Sequence, residues 1–83
     1  MSSVAADIRS MVVKHARFGA HRVTDDSTVD ELGLDSLATA EMLLAVEERL
    51  GRRFDVEALD GRITPRTSVR ELVALLEQSL TPC

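Results

Sequence analysis

Residues 31–51 read Glu31-Leu32-Gly33-Leu34-Asp35-Ser36-Leu37 and then ATAEMLLAVEERLG, and this run sets the architecture. From Leu37 to Leu50 the chain consists mostly of strong helix formers. Gly51 supplies the stop, because glycine enters the left-handed region without a Cβ penalty. At the other end Asp35 or Ser36 is a ready N-cap, with a side-chain oxygen that can accept from a free amide of the first turn. The spacing then gives two faces. Ala40, Leu43, Val46 or Glu47, and Leu50 follow one stripe with Met42 beside it, and this is the expected core face. Leu37, Glu41, Leu44 and Glu48 fall at i, i+4, i+7 and i+11 on a second stripe that alternates apolar and acidic residues. A merely structural surface has no need of Leu37 and Leu44 there.

Further helices are expected on either side. Val4, Ile8, Met11, Val12 and Ala16 form one apolar stripe, with Ser2 or Ser3 as N-cap and Gly19 closing the helix. Residues 19–35 form a long connection rich in Thr, Asp and Ser. Within it Thr28 and Glu31 can make a capping box for a short turn that carries Val29 and Leu32, before Gly33 breaks it. Connections of this length are usually functional or internally ordered. After Arg52 and Arg53, FDVEALDGR is long enough for one or two helical turns that bury Phe54, Val56 and Leu59, ending at Gly61. Pro65 pushes Thr64 to extended geometry. Ser68 and Glu71 open the last helix with a second capping box, and Val69, Leu72, Val73, Leu76 and Leu80 give it a regular apolar stripe until Pro82. No internal repeat is evident. Helices with one apolar face each must pack on one another, so the chain, residues 1–83, is expected to be a single all-α domain: a four-helix bundle of three main helices and one short one, with a long first loop.

Composition narrows the function. The chain has 83 residues, a formal charge of −4, two Phe, no Tyr and no Trp. It is too short for a barrel or a doubly wound fold with a deep catalytic cleft. An acidic chain poor in stacking aromatics is a poor nucleic-acid binder, and the acidic central helix rules against a helix-turn-helix reader. No apolar run approaches the length of a membrane span, and the first residues lack the pattern of a signal peptide, so a cytoplasmic monomer is expected. The single cysteine, Cys83, can form no internal disulfide and fits a reducing compartment. His15 and His21 lack the partners of a metal site. The acids between 25 and 35 lack the alternating oxygen ligands and central glycine of a calcium loop. No metal site, no catalytic residue and no enzyme activity of its own are therefore assigned.

Resolved along the chain, the charge is informative. Residues 25–48 hold eight acids and no Lys or Arg, −8, while the other segments hold all ten basic residues and six acids, +4. Asp35, Glu41, Glu47 and Glu48 have no lysine at i+4 to relieve them. An acidic face with small apolar anchors would steer basic partner surfaces and keep complexes short-lived.

Asp-Ser-Leu alone is an ordinary helix start. Placed after a long acidic loop, at the head of a two-faced helix and near the middle of an all-helical chain, it resembles the acyl carrier protein family, whose mark is a Gly-hydrophobic-Asp-Ser-Leu segment. The resemblance covers nearly the whole chain and includes LATAEMLLAVEERLG and TSVRELVALLEQ. It implies a four-helix bundle with a 4′-phosphopantetheine arm on Ser36, taken from coenzyme A by a phosphopantetheinyl transferase, and acyl or aminoacyl thioesters on the arm. It implies a contact of Asp35 with the transferase or its metal ion. Leu37, Glu41, Leu44, Glu47 and Glu48 then form the partner face for loading enzymes and for downstream synthases, transferases or tailoring enzymes. A helix start suits the anionic phosphodiester, by about 0.3–1 kcal/mol per charge, although Asp35 beside it works against this.

Leu-Gly-Leu-Asp-Ser-Leu is closer to acyl carriers than to the Leu-Gly-Gly-x-Ser form of peptidyl carriers. The distal half departs from fatty-acid carriers, with Arg49, Arg52, Arg53, Arg62 and Arg66 and an Ile-Thr-Pro segment at 63–65. Discrete aminoacyl or peptidyl carriers show similar departures. A free-standing carrier of a polyketide or nonribosomal-peptide-type pathway is the favoured reading. Met11, Met42, Val46, Leu59, Ile63 and Leu76 are candidate cargo lining and equally ordinary core. Outside the family, a small helical interaction domain with Asp-Ser as a simple cap is the alternative.

Overall fold

The computed structural model describes residues 3–18, 22–59 and 61–81. Its helices are α1 (Val4–His15), α2 (Ser36–Leu50), α3 (Val56–Leu59) and α4 (Val69–Ser79), the all-helical carrier-like bundle that the sequence implies. Each long helix begins where a side chain satisfies a free amide. Ser3 accepts from Ala6, Asp35 from Ala38, and Ser68 with Glu71 forms a full capping box. α2 ends in Gly51, which takes the left-handed conformation with φ 63° and ψ 30°.

α1 packs against both α2 and α4, and α3 rests on α4. Ile8 and Val12 of α1, Met42 and Val46 of α2, and Val69, Leu72 and Leu76 of α4 are almost wholly excluded from solvent. Two expectations change here. The core stripe of α2 is Ala38, Met42 and Val46, at i, i+4 and i+8, with Leu43 and Leu50 packed beside it, while Ala40 is exposed. The core side of α2 is therefore displaced around the helix from the expected stripe, toward the side on which α1 packs. Val56 is 75% exposed, since α3 has four residues and can present just Leu59 inward, with Phe54 buried ahead of it.

α1 stops earlier than expected. Ala16 is already extended, with φ −63° and ψ 130°. The amides of Arg17 and Phe18 turn to the carbonyl of Leu32, at 2.8 and 3.2 Å, instead of continuing the helix. Gly19, the expected terminator, lies outside the described residues, as do Ser2, His21, Pro82 and Cys83.

The described part of the long connection, residues 22–35, is held by local hydrogen bonds. The Thr28–Glu31 box forms: Glu31 N–H donates to Thr28 Oγ1 at 3.2 Å and Thr28 N–H to Glu31 Oε1 at 3.0 Å. Val29, Leu32 and Leu34 are buried beneath it. This segment has a counterpart forty residues on, which reading for repeats missed. TDDSTVDE at 24–31 and TPRTSVRE at 64–71 share Thr-x-x-(Ser/Thr)-(Ser/Thr)-Val-x-Glu. Both make the same turn, Thr24 with Ser27 and Thr64 with Thr67, and both then make a capping box. They pair antiparallel about a local two-fold axis. Val29 N–H donates to Thr67 O at 2.8 Å and Val69 N–H to Ser27 O at 2.7 Å. Asp30 N–H donates to Pro65 O and Arg70 N–H to Asp25 O, both at 3.0 Å. An ion pair, Arg70 Nη1 to Asp26 Oδ1 at 3.2 Å, ties the two further. At the opposite end Phe54 pairs with Leu80, and Thr81 N–H donates to Arg53 O at 2.8 Å.

Gly33 closes the first connection at φ 67°. A Cβ there would lie 2.6 Å from Phe18 Cδ2 and 3.1 Å from the Cβ of Arg17. Gly51 also has positive φ, but a Cβ on it would meet nothing within 4 Å. Gly33→Ala should therefore cost more than Gly51→Ala, about 1–3 kcal/mol against about 1. Urea midpoints of the two variants measure the difference, and equal midpoints would refute the packing part of the argument.

Candidate functional site

Ser36 is the first residue of α2 and is exposed. Among the described residues no hydrogen bond engages its hydroxyl. Asp35 before it is held firmly. Its Oδ1 accepts from Ala38 N–H at 2.8 Å, and its Oδ2 lies 3.2 Å from Arg17 Nη1. The rest of the turn is fixed by Leu34 N–H to Val29 O at 3.0 Å, Asp35 N–H to Gly33 O at 3.0 Å and Thr39 Oγ1 to Leu34 O at 3.3 Å. The serine is thus presented from a rigid corner, with its hydroxyl free.

Ser36 stands at the edge of an open groove of about 770 Å³. Arg17, Phe18, Gly33 and Asp35 form one wall, Ile63, Thr64 and Pro65 the other, and Thr39 and Leu43 lie along α2 between them. The paired turns border the groove, with Val29 and Asp30 from the first and Thr64 and Pro65 from the second, and the hydrogen bond from Asp30 N–H to Pro65 O joins two of these lining residues. Phe18 is 65% exposed, an uncommon position for one of two aromatics in the chain. Of the residues considered as lining from sequence, Ile63 reaches the groove. Met42, Val46, Leu59 and Leu76 belong to the core and Met11 packs against it.

The second face of α2 is as expected at four positions. Leu37 is 61% and Leu44 56% exposed, and Glu41 and Glu48 are exposed with them. Glu47 behaves differently. It is partly buried, and its Oε2 accepts from Phe54 N–H at 2.9 Å, so it ties the end of α2 to the next segment. The −8 of residues 25–48 is also less stark in space than along the chain. Asp25, Asp26 and Asp35 pair with Arg9, Arg70 and Arg17, and Asp7 pairs with Arg49. All these pairs are at least partly exposed, so each contributes little to stability, on the order of 0–1 kcal/mol. The acids left unpaired among the described residues include Glu41 and Glu48, which flank Leu44. His15 is half-buried, with Nδ1 2.9 Å from Met11 O, a polar residue satisfied by its own helix.

Arg17 and Phe18 were not legible as site residues. Their place depends on the chain leaving α1 at Ala16 and crossing to Leu32, and no periodicity signals that turn. No helix among the described residues is long and apolar enough to cross a membrane.

A family model described as a phosphopantetheine attachment site matches residues 6–76. Two curated relatives are each 32% identical over 71 residues, which is 84% of this chain and 91% of theirs. They are the acyl carrier protein of Sinorhizobium fredii (strain NBRC 101917 / NGR234) and the acyl carrier protein AcpP of Rhizobium meliloti (strain 1021). No solved structure matches the chain. The family match runs from α1 into α4 and takes in the exposed serine, the groove and both of its walls, and the chain belongs to the acyl carrier protein family, non-catalytic carriers with a covalent 4′-phosphopantetheine.

Proposed function

We propose that Ser36 bears the 4′-phosphopantetheine and that residues 1–83 act as one carrier domain. It would deliver acyl intermediates between cytoplasmic enzymes of a polyketide or nonribosomal-peptide-type pathway. The observation that carries this reading is the exposed hydroxyl of Ser36 at the head of α2, unbonded among the described residues and part of the lining of an open groove of about 770 Å³. The residues present suit the arm. The serine is presented rigidly by the Asp35 cap, the groove offers apolar surface from Phe18, Leu43, Ile63 and Pro65, and Thr39 and Thr64 add polar atoms. The arm's terminal thiol supplies the thioester chemistry, and the protein supplies position, solubility and docking.

Docking is assigned to Leu37, Glu41, Leu44 and Glu48. Their exposure combines small apolar anchors with charge that steers basic partners. Asp35 would meet the phosphopantetheinyl transferase, or its metal ion, through Oδ2, the oxygen that Arg17 holds. A dedicated pathway is favoured over fatty-acid synthesis by the exposed arginines of the distal half, Arg53, Arg62 and Arg66. These would repel the basic partner surfaces that an acidic carrier attracts. The relatives named acyl carrier proteins, together with Leu34 buried before the Asp-Ser pair, favour acyl over aminoacyl cargo.

The test is loading with coenzyme A, Mg²⁺ and a broad-specificity transferase, read by intact mass. Ser36 Oγ would form the new P–O bond as the pyrophosphate P–O bond breaks. Adenosine 3′,5′-bisphosphate leaves, and the serine proton passes to a base of the transferase. One arm per chain is expected, and no gain in mass on the folded protein would sink the carrier assignment. Incubation of the loaded chain with acyltransferases and with adenylating enzymes then separates the cargoes. Charging by the adenylating enzymes alone would overturn the acyl reading.

A further inference from the structure

The Arg17–Asp35 pair joins the segment that leaves α1 to the N-cap residue of α2. It lies at a surface where both side chains are about half exposed, and it lines the same groove edge as Ser36. We infer that Arg17 is a positioning residue for the phosphodiester on Ser36. Its guanidinium bridges the carboxylate of Asp35 and the phosphate, and so removes a repulsion the site would otherwise carry. The inference rests on the arm being on Ser36.

The argument starts from Asp35, which cannot turn away. Its Oδ1 caps α2 through Ala38 N–H, so its charge stays next to Ser36 whether or not the serine is modified. A phosphodiester one residue on adds a second anion at the same corner, and like charges at such separations disfavour each other. Arg17 is the basic residue among the described lining of the groove. Its backbone is anchored, with Arg17 N–H and Phe18 N–H both donating to Leu32 O. Its side chain therefore starts from a fixed point beside the Gly33–Ser36 turn. A guanidinium has five N–H donors in a planar fork, and a single contact, Nη1 to Oδ2, is made to Asp35. The remaining donors are enough for a phosphate, the group that arginine recognises best.

The experiment uses apo and loaded forms of the unmutated chain, Arg17→Ala and Arg17→Lys, each form verified by intact mass. In the unmutated chain, arm attachment should move the Nε–Hε resonance of Arg17 while that of exposed Arg62 stays in place. Arg17→Ala should lower the Tm of the loaded form by roughly 2–6 °C more than that of the apo form. That excess should vanish near about 1 M salt, where screening is short-ranged. Arg17→Lys, which keeps the charge but not the fork, should recover part of it. An equal loss of Tm in both forms, or an Arg17 resonance that loading leaves unchanged, overturns the inference. The resonance is read on the unmutated chain, so a variant that fails to fold does not remove the test. A chain that takes no arm, or takes it elsewhere than Ser36, fails the carrier assignment by mass alone, and the inference falls with it.

Discussion

Ser36→Ala will fold as the parent does and take no arm. The two halves of that outcome have separate causes. The fold survives because Ser36 lends it nothing. Asp35, not Ser36, is the N-cap of α2, the serine side chain is exposed, and no described residue hydrogen-bonds to its hydroxyl. Alanine is a good residue for the first turn of a helix, and surface changes of this kind usually fall within about 0.5 kcal/mol. Loading is lost because the atom that forms the bond to phosphorus is gone. The comparison with Asp35→Ala sharpens the point. That change removes the cap and costs about 0.5–2 kcal/mol, yet leaves the nucleophile in place. Intact mass and a thermal melt on the same Ser36→Ala sample decide it. A variant that still gains an arm would move the attachment to another hydroxyl, and a variant that unfolds would show that Ser36 has a structural task the fold does not reveal.

Leu76→Ala should come close to unfolding the domain. Leu76 is completely excluded from solvent in α4, the helix that touches both α1 and α3. Removing a buried leucine side chain costs about 2–5 kcal/mol, because the lost transfer energy is joined by a cavity that rigid helices cannot collapse. Domains of this size have little in reserve, since about 60% of the unfolded surface is buried on folding and total stability lies near the lower end of the usual 5–15 kcal/mol. The expected result is a fall in Tm of at least about 10 °C and a matching fall in the urea midpoint. A smaller effect at the neighbouring Leu75, which is partly exposed, is the internal control. Equal effects at the two positions would mean that α4 does not bury the face described.

Much of this was open to reading in the chain. Capping chemistry is local, so Ser68 with Glu71 and Gly51 marked their helix ends directly, the other two N-caps were narrowed to Ser2 or Ser3 and Asp35 or Ser36, and the Thr28–Glu31 box was equally visible. Facing is not local. Ala40 and Ala38 are interchangeable by propensity, and which one meets the core depends on where α1 packs on α2. Val56 looked buried because it is apolar and lies between Phe54 and Leu59, both buried, yet α3 has too few residues to turn it inward. The end of α1 was misplaced because Gly19 is the natural stop by sequence, while the decisive event is the capture of two amides by Leu32 O. The serine and its acidic neighbour were legible as a site because a motif places them. Arg17, Phe18 and the Thr64–Pro65 wall come to that site through the fold alone. Glu47, grouped by sequence with the docking acids, is committed to Phe54.

The paired turns at 24–31 and 64–71 have a kinetic meaning. Each turn can form by itself within nanoseconds to microseconds, since its hydrogen bonds span three residues. Joining them closes a loop of forty residues that contains all of α2 and α3, so the join must wait for the helices to dock. The corner that presents Ser36 is held by local hydrogen bonds, but the Thr64–Pro65 side of its groove arrives only with this join, so a nascent or partly folded chain would display a serine without its complete groove. A transferase that recognises the whole groove rather than the tripeptide would thereby act as a check on completed folding.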